Sequence, residues 1–215
     1  MDMITENNSI ELCGDMAGRP VRSHTARGQD FYVFPLEIQR LSGTFDTLNV
    51  IVRPQQLDGI GIDVGSRIRV AGQLRTFNNR RGEGARLVIT VFAKEIELTE
   101  EDYVNRIFLR GTLCKTPVRR TTPMGRDICD LMLAVNRRYG RSDYLPCICW
   151  GNLACIAGSW DVGTRLRIGG RVQSRTYIKL IDEQPTEKTA YEVSVSEAAE
   201  DEDVEMLAID TESGE

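Results

Sequence analysis

The sequence predicts an all-β protein made of two small barrels in tandem, followed by an acidic tail. Three observations lead to this prediction: an internal repeat, apolar residues that alternate with a period of two, and a C-terminal stretch with nine acidic and no basic residues. A period of two is typical of strands that bury one face. The repeat sets the number of domains, because each copy forms its own fold.

The two halves of the chain carry the same ordered segments. NSIELCG (8–14) matches NRIFLRG (105–111), and PVR (20–22) matches PVR (117–119), at a constant offset of 97. After a one-residue slip, DVGSRIRVAGQLR (63–75) matches DVGTRLRIGGRVQ (161–173). We therefore predict a first domain at 8–98, a polar linker at 99–104, a second domain at 105–196 and a disordered acidic tail at 197–215.

Each copy contains a series of half-buried strands. In the second copy, Leu131, Leu133 and Val135 occupy every second position, and Leu166 and Ile168 alternate with arginines. The segment GNLACIAGSW (151–160) is the best helix candidate, and it follows the third strand. Five strands with a short helix between the third and fourth describe a Greek-key barrel of the OB type. The predicted fold is thus two tandem OB-fold barrels, each with a short helix.

Charge is segregated along the chain. The net charge is −5, yet residues 105–180 hold fourteen basic and four acidic side chains. Residues 8–98 hold twelve and ten, and residues 181–215 hold one and thirteen. A strongly basic module followed by an acidic appendage indicates a domain that binds a polyanion.

The sequence argues against several classes of protein. It has no run of about 18 apolar residues that would span a membrane, and its N-terminus, MDMITENNSI, does not resemble a signal peptide. We therefore expect a cytoplasmic, nucleoid-associated protein. There is no P-loop, GxSxG or HExxH motif, so we expect no enzymatic activity. The six cysteines include no CxxC pair, which favours buried thiols over metal ligands, and no cofactor is expected.

Two strands of the second copy place basic and aromatic side chains on one predicted face. The odd positions of the fourth strand carry Arg165, Arg167, Arg171, Arg175, Tyr177 and Lys179. The even positions, including Leu166, Ile168, Val172 and Ile178, are predicted to fill the core. On the third strand, Tyr144, Ile148 and Trp150 share one face, opposite Leu145, Cys147 and Cys149. Cations beside aromatic platforms are what single-stranded nucleic acid requires, although each aromatic taken alone is equally compatible with ordinary packing.

Four ordered segments of the second copy carry a family resemblance: NRIFLRGTLCKTPVRRT, DLMLAVNRR, YLPCICWGNLA and DVGTRLRIGGRVQSRTY. They resemble the bacterial single-stranded DNA-binding protein family, including its relative primosomal replication protein N. The resemblance covers most of residues 8–196, more weakly in the first copy. It implies OB folds that assemble in sets of four, here a homodimer. It also implies sequence-tolerant binding of single-stranded DNA in replication, recombination and repair.

The resemblance also implies which residues bind DNA. Copied onto this sequence, the stacking positions of the family are Tyr139, Tyr144, Trp150 and Tyr177. Phosphate contacts are expected from basic side chains of the same domain, which are Arg106, Arg110, Arg119, Arg120, Arg137, Arg138, Arg165, Arg167, Arg171, Arg175 and Lys179.

The first copy departs from this pattern. Its aligned positions are Ser42, Thr47, Arg53 and Asn79, so all four aromatics are missing, and Phe45 and Phe77 lie nearby but shifted. The basic residues that remain for contact with the DNA backbone are Arg75, Arg80, Arg81 and Arg86. We therefore predict that the first domain is mainly a structural or assembly domain.

The tail and two rival functions leave alternatives open. The family recruits partner proteins through an acidic tail, but the segment 197–215 ends in Ser-Gly-Glu and lacks the usual Pro-Phe-type ending. It either recruits replication and repair proteins or competes with DNA for the basic groove. The rival functions are an adaptor of replication restart, whose OB folds hold other proteins, and a binder of single-stranded RNA.

Overall fold

The computed structural model describes residues 7–78, 87–137, 140–181 and 184–201, with the backbone alone at 179–181. Strands of the first half are β1 (Asn8–Met16), β2 (Val21–Ala26), β3 (Gln29–Gln39), β4 (Phe45–Val52), β5 (Arg67–Asn78) and β6 (Leu87–Leu98). Strands of the second half are β7 (Val104–Leu113), β8 (Val118–Thr121), β9 (Asp127–Asn136), β10 (Ser142–Trp150), β11 (Arg165–Ile181) and β12 (Gln184–Glu200). Within the described residues, no helix has the length and apolar character needed to cross a membrane.

Each half closes into a barrel of five strands. In the first, the order is β1-β3-β4-β6-β5, and β5 returns to β1; in the second it is β7-β9-β10-β12-β11, and β11 returns to β7. The parallel pairs are β4–β6 and β10–β12, and all other pairs are antiparallel. The short strands β2 and β8 only extend β3 and β9 as hairpins. This is the predicted Greek-key barrel of the OB type, present twice.

One glycine in each barrel allows the sharp bend that closes it. The pairing register shifts between Ala71 and Gly72 in the first barrel and between Gly169 and Gly170 in the second. A Cβ atom at Gly170 would lie 2.3 Å from the carbonyl oxygen of Ser194, and one at Gly72 would lie 2.3 Å from that of Phe92. Any larger residue would therefore push the two strands apart.

The predicted alternation holds inside the barrels and fails beyond them. Leu131, Leu133, Leu166 and Ile168 are buried in the core, as expected. Ile178 was predicted to join them, but it is 73 % exposed. Among the described residues, the strands β11 and β12 pair only with each other beyond Gln173, so they leave the barrel as a two-stranded arm. No core lies beneath the arm to receive Ile178.

Within the part of the chain that the structure describes, the predicted helix forms in the second domain and not in the first. It is α1, at Asn152–Ala157, between β10 and β11. At the same place the first domain has a single turn of 3-10 helix, Pro54–Gln56, so the prediction of a similar helix in both copies is wrong in its detail. The positive φ angles of Gly59 (76°) and Gly61 (70°) turn the chain away soon after this 3-10 helix.

The two barrels are joined through their first strands. β1 and β7 pair in antiparallel fashion from Asn8 opposite Leu109 to Cys13 opposite Val104, which makes one continuous twelve-stranded sheet. Asn8 and Asn105, which are equivalent in the repeat, make equivalent hydrogen bonds to the backbone of their own domains. The Asn8 amide brackets the backbone of Leu74, at 2.7 and 2.9 Å, and the Asn105 amide brackets that of Val172 at the same distances. The domains are thus related by an internal two-fold.

The second domain extends further than the sequence predicted. Strand β12 continues to Glu200, which lies opposite Leu166, so residues 197–200 are strand and not tail. Half-buried Ala198, opposite Ile168, belongs to this extension. The rest of the predicted tail, residues 202–215, lies outside the described residues.

Candidate nucleic-acid interface

The outer surface of β10, β12 and β11 forms one continuous face in the second domain. Ser194 of β12 lies opposite both Ile148 of β10 and Arg171 of β11, so these side chains point to the same side. Alternation then places Tyr144 and Trp150 on that side, together with Arg175 and Tyr177. We call this surface, defined by Tyr144, Trp150, Arg171, Arg175 and Tyr177, the three-strand face.

The three aromatic rings of this face are accessible to a ligand. Tyr144 is 50 %, Trp150 37 % and Tyr177 39 % exposed. The indole Nε1 of Trp150 donates to the hydroxyl of Ser194 at 3.2 Å, which fixes its ring against β12. The backbone N–H of Tyr144 donates to Thr76 of the first domain at 3.1 Å. The Trp150 ring and the Tyr144 backbone are thus fixed, and exposed aromatic rings of this kind are suitable platforms for base stacking.

The opposite side of β10 is core, as predicted. Leu145, Cys147 and Cys149 are buried. Burial raises the pKa of the Cys149 thiol to about 12 and raises that of Cys147 as well, so both remain protonated at neutral pH. Within the described ranges, no three His, Cys, Asp or Glu side chains gather as a metal site would require. These cysteines therefore act as packing residues.

Two exposed arginines accompany the aromatic rings. Arg171 lies directly opposite Ser194, and the guanidinium of Arg175 is 5.8 Å from the ring centroid of Tyr177. Neither is ion-paired with a carboxylate among the described residues. Glu192 of β12 lies on the same side, opposite Gln173, and limits the positive charge at the centre of the face. Arginine beside tyrosine supplies both a phosphate donor and a stacking plane.

Arg165 and Arg167 do not belong to this cluster, although they lie on the same side of β11. They are paired with Thr112 and Arg110 of β7, at the other end of the strand. At 3.3 Å per residue, Arg165 lies roughly 33 Å along the strand from Arg175. The predicted basic stripe is therefore split into two separate regions.

Several predicted phosphate ligands are already engaged with carboxylates. Arg110 and Arg167 both contact Asp201, at 3.1 and 3.5 Å. The other two pairs join Arg120 to Asp130 at 2.6 Å and Arg106 to Glu11 at 3.8 Å. Arg119 is not in such a pair but lies against Gly158, at the end of α1. Arg120 lies opposite Ile128, which is itself opposite Trp150, so it borders the three-strand face, whereas Arg106, Arg110 and Arg167 lie apart from it. All of these side chains remain predictions as DNA ligands.

Arg137 makes contacts within the protein that the sequence did not predict. It forms a two-pronged ion pair with Asp143, whose side chain is fully buried, and donates to the Thr76 carbonyl at 2.8 Å. Arg75 donates to the same carboxylate at 3.0 Å, and the N–H of Thr76 at 2.5 Å. Its guanidinium is engaged in this contact between the domains, and its role as a phosphate ligand remains a prediction.

We call the arrangement of a buried aspartate, an arginine of its own domain and a backbone N–H of the other domain a clamp. The first domain contains an equivalent clamp, in which it supplies the aspartate and the second domain supplies the N–H. There Arg40 pairs with buried Asp46, and the N–H of Ser174, on the arm of the second domain, donates to Asp46 at 2.7 Å. Burial opposes ionisation of Asp143, but the hydrogen bonds from Arg137, the Thr76 amide and Arg75 outweigh it and lower its pKa. Each clamp thus holds a charged carboxylate at the junction between the domains.

Some predicted residues cannot be placed. Tyr139 and Arg138 lie outside the described residues, and for Lys179 only the backbone is described. In the first domain, Asn79, Arg80, Arg81 and Arg86 also lie outside them. The position equivalent to Trp150 is Arg53, whose guanidinium lies 5.9 Å from the Phe92 ring centroid.

Comparison with known proteins identifies the second domain. Residues 104–206 match the profile of the Single-strand binding protein family. The second domain is similar to this family over its whole length. Similar proteins include single-stranded DNA-binding protein 2 of Listeria innocua, 33 % identical over 81 residues, which cover 34 % of this chain and 51 % of that protein. Single-stranded DNA-binding protein A of Bacillus subtilis is also 33 % identical over 81 residues, covering 34 % and 47 %. The chain thus spans about half the length of these relatives.

A solved structure resembles the whole two-domain arrangement. The wild-type single-stranded DNA binding protein from Thermus aquaticus aligns with a TM-score of 0.70, over 90 % of this chain and 92 % of that one, at 23 % sequence identity. At this identity the similarity supports the fold of both domains and not the details of a site.

Sequence reasoning missed the two clamps, although the sequence contains a signal for them. Arg40 and Asp46 are six residues apart, and Arg137 and Asp143 repeat the pair at the offset of 97. A charged pair kept in both copies, one of which lacks the stacking residues, indicates a structural role and not a role in ligand contact.

Proposed function

We propose that this protein binds single-stranded DNA with little sequence preference, using the three-strand face of its second domain. Bases stack on Tyr144, Trp150 and Tyr177, and Arg171 and Arg175 contact phosphates. The observation that carries the proposal is the meeting of three exposed rings, Trp150 held by Ser194, with two arginines that have no carboxylate partner among the described residues, on one face of an OB barrel. The similarity of this barrel to the single-strand binding protein family supports it.

The chemistry of the face favours a single strand over a duplex. Stacking requires unpaired bases, and each stacked base contributes about 1–3 kcal/mol. Every base has an aromatic plane, so binding of this kind is tolerant of sequence. Arginines on the same face neutralise the backbone and make the affinity dependent on salt.

Trp150 provides a direct test, because the other tryptophan, Trp160, is buried. In a W160F variant, we expect oligo-dT to quench the emission strongly, since the indole becomes stacked on a base. W150F in the same assay provides the control for any residual signal. Titration without quenching at low salt would contradict the proposal, and equal affinity for oligo-rU would favour the RNA-binding alternative.

The wider role of the protein is part of the same proposal. We infer that two chains form a homodimer with four OB folds, which protects single-stranded DNA during replication, recombination and repair. The tandem barrels and the family of the second domain support this inference. Sedimentation equilibrium at micromolar concentration measures the number of chains, and a stable monomer would exclude the dimer. The acidic C-terminal segment is proposed to contact partner proteins, and the chain to act at the nucleoid.

A further inference from the structure

A cleft of about 600 Å³ lies between the two domains, next to the three-strand face. One wall is the β3–β4 hairpin of the first domain, with Arg40, Phe45 and Thr47. The other wall is the base of the β11–β12 arm, with Ser174, Arg175 and Tyr191. The volume is within the range of pockets that hold small organic ligands.

The walls of this cleft are held together by hydrogen bonds. The N–H of Ser174 donates to Asp46 at 2.7 Å, and the N–H of Thr47 donates to the Ser174 hydroxyl at 3.2 Å. Arg40 donates to the Ser174 carbonyl at 3.0 Å. Every polar group of Ser174 is therefore tied to the first domain, so the cleft is already formed before a ligand arrives.

The cleft offers an aromatic surface and a positive charge. Phe45 is 47 % exposed, and its ring meets Tyr103 edge-on, with 6.2 Å between centroids and an angle of 86°. The charge of Arg40 is neutralised by Asp46. Arg175 has no carboxylate partner among the described residues, so it supplies the positive charge. A flat apolar ring and a guanidinium are complementary to the base and phosphate of a nucleotide.

Phe45 is on the correct face for this role, but it is shifted along the strand. In the repeat, Thr47 is the position equivalent to Tyr144, and Phe45 lies two residues before it on the same side of β4. Two residues correspond to roughly 7 Å. The first domain has therefore lost the aromatic ring of the second domain at this position and has another one inside the cleft.

Arg175 connects the cleft to the three-strand face. It lines the cleft and also lies beside Tyr177 on β11. The cleft and the three-strand face therefore share Arg175 at their common border.

We propose that the cleft is a subsite for one nucleotide of the bound strand, with its base stacked on Phe45 and its phosphate held by Arg175. This inference rests on the proposed function. It makes the first domain a contributor to binding, beyond the scaffold role that the sequence suggests.

The test uses a tryptophan placed in the cleft. In the full chain carrying W150F and W160F, we expect emission from F45W to be quenched by oligo-dT. The matched control is L41W, at the fully exposed tip of the same hairpin, outside the cleft. Quenching of L41W to the same extent would overturn the inference.

Quenching of Trp150 in the W160F protein distinguishes failure of the cleft subsite from failure of the proposed DNA binding. The F45W reading is taken at an oligo-dT concentration that saturates the W150F background, as measured by anisotropy of labelled oligo-dT. If Trp150 in the W160F protein is then quenched and F45W is not, the cleft inference fails and the proposed function stands. If neither is quenched, the proposed function itself fails.

Affinity provides a second readout of the cleft. F45A should weaken binding of oligo-dT by roughly 5- to 150-fold, the range for one stacked base. F77A, which removes an equally exposed phenylalanine of the first domain outside the cleft, should bind like the parent. Equal affinities of F45A, F77A and the parent, with unchanged urea midpoints, would contradict the subsite.

Discussion

At the scale of single residues, the arginines of the second domain differ in what they are free to do. Arg137 is committed to a buried carboxylate, and Arg110 and Arg167 share Asp201. Arg171 and Arg175 lie beside exposed aromatic rings without a carboxylate partner among the described residues. From residue type and position along the strand alone, all of these arginines would be predicted to bind phosphate equally well. Their neighbours decide which ones are available to a phosphate.

The salt dependence of binding should separate two arginines of the same strand. R175Q and R165Q remove the same charge, but only Arg175 lies on the three-strand face. Each phosphate contact on a single strand adds about 0.7 to the slope of log K against log salt. We expect R175Q to reduce the slope by about that amount and R165Q to leave it unchanged. Fluorescence titration of both variants at four salt concentrations measures this. Equal reductions would mean that the far end of β11 also binds DNA, and an unchanged slope in R175Q would contradict the phosphate contact of Arg175.

At the scale of strands and helices, the sequence predicts elements well where a core determines the pattern. Leu131, Leu133 and Leu166 alternate because one face of each strand is buried, and their positions were predicted correctly. The same alternation continues to Ile178, but the strand has left the barrel before that residue. The alternation therefore does not indicate burial there. Likewise, the acidic composition of residues 197–200 suggested a tail, although they pair with β11. The exposure of Ile178 and the strand structure of residues 197–200 both depend on pairing with residues far apart in the sequence, which local composition does not reveal.

The meeting of β5 with β10 gives a prediction about stability. Asp143→Asn removes the charge that Arg75 and Arg137 surround, leaving two partly buried guanidiniums without a counter-charge. Breaking a buried pair in this way costs about 3 kcal/mol. D130N breaks the exposed pair with Arg120 and should cost less than about 1 kcal/mol. Urea unfolding at pH 7 measures the free energy of unfolding of both variants. Similar decreases would show that the buried Asp143 pair stabilises the protein no more than an exposed ion pair does.

The same clamp has a defined pH dependence. Because its partners lower the pKa of Asp143 in the folded protein, its stabilisation is complete above the unfolded pKa of about 3.9. It is lost as the pH falls through the lower folded value. The difference in unfolding free energy between parent and D143N should therefore be constant from pH 5 to 7 and shrink below about pH 4. A constant difference down to pH 2 would contradict this assignment.

At the scale of the whole molecule, the two barrels behave as one structure that serves a single surface. The β1–β7 pairing joins their sheets, and each clamp places the carboxylate of one domain against the backbone of the other. The strand that carries Tyr144 and the arm that carries Tyr177 are both held by the first domain, through Thr76 and Asp46. A domain without the aligned aromatics thus still determines the geometry of the binding face.

This coupling predicts that the two domains unfold together. Both tryptophans, Trp150 and Trp160, lie in the second domain, so tryptophan emission reports that domain alone, whereas circular dichroism of the strands reports both. Two-state unfolding requires the two urea curves to coincide. We expect coincidence in the parent and separation in the double variant D46N/D143N, in which both clamps are weakened. Separate curves in the parent would mean that the first domain is an independent unit, and that the geometry of the three-strand face does not depend on it.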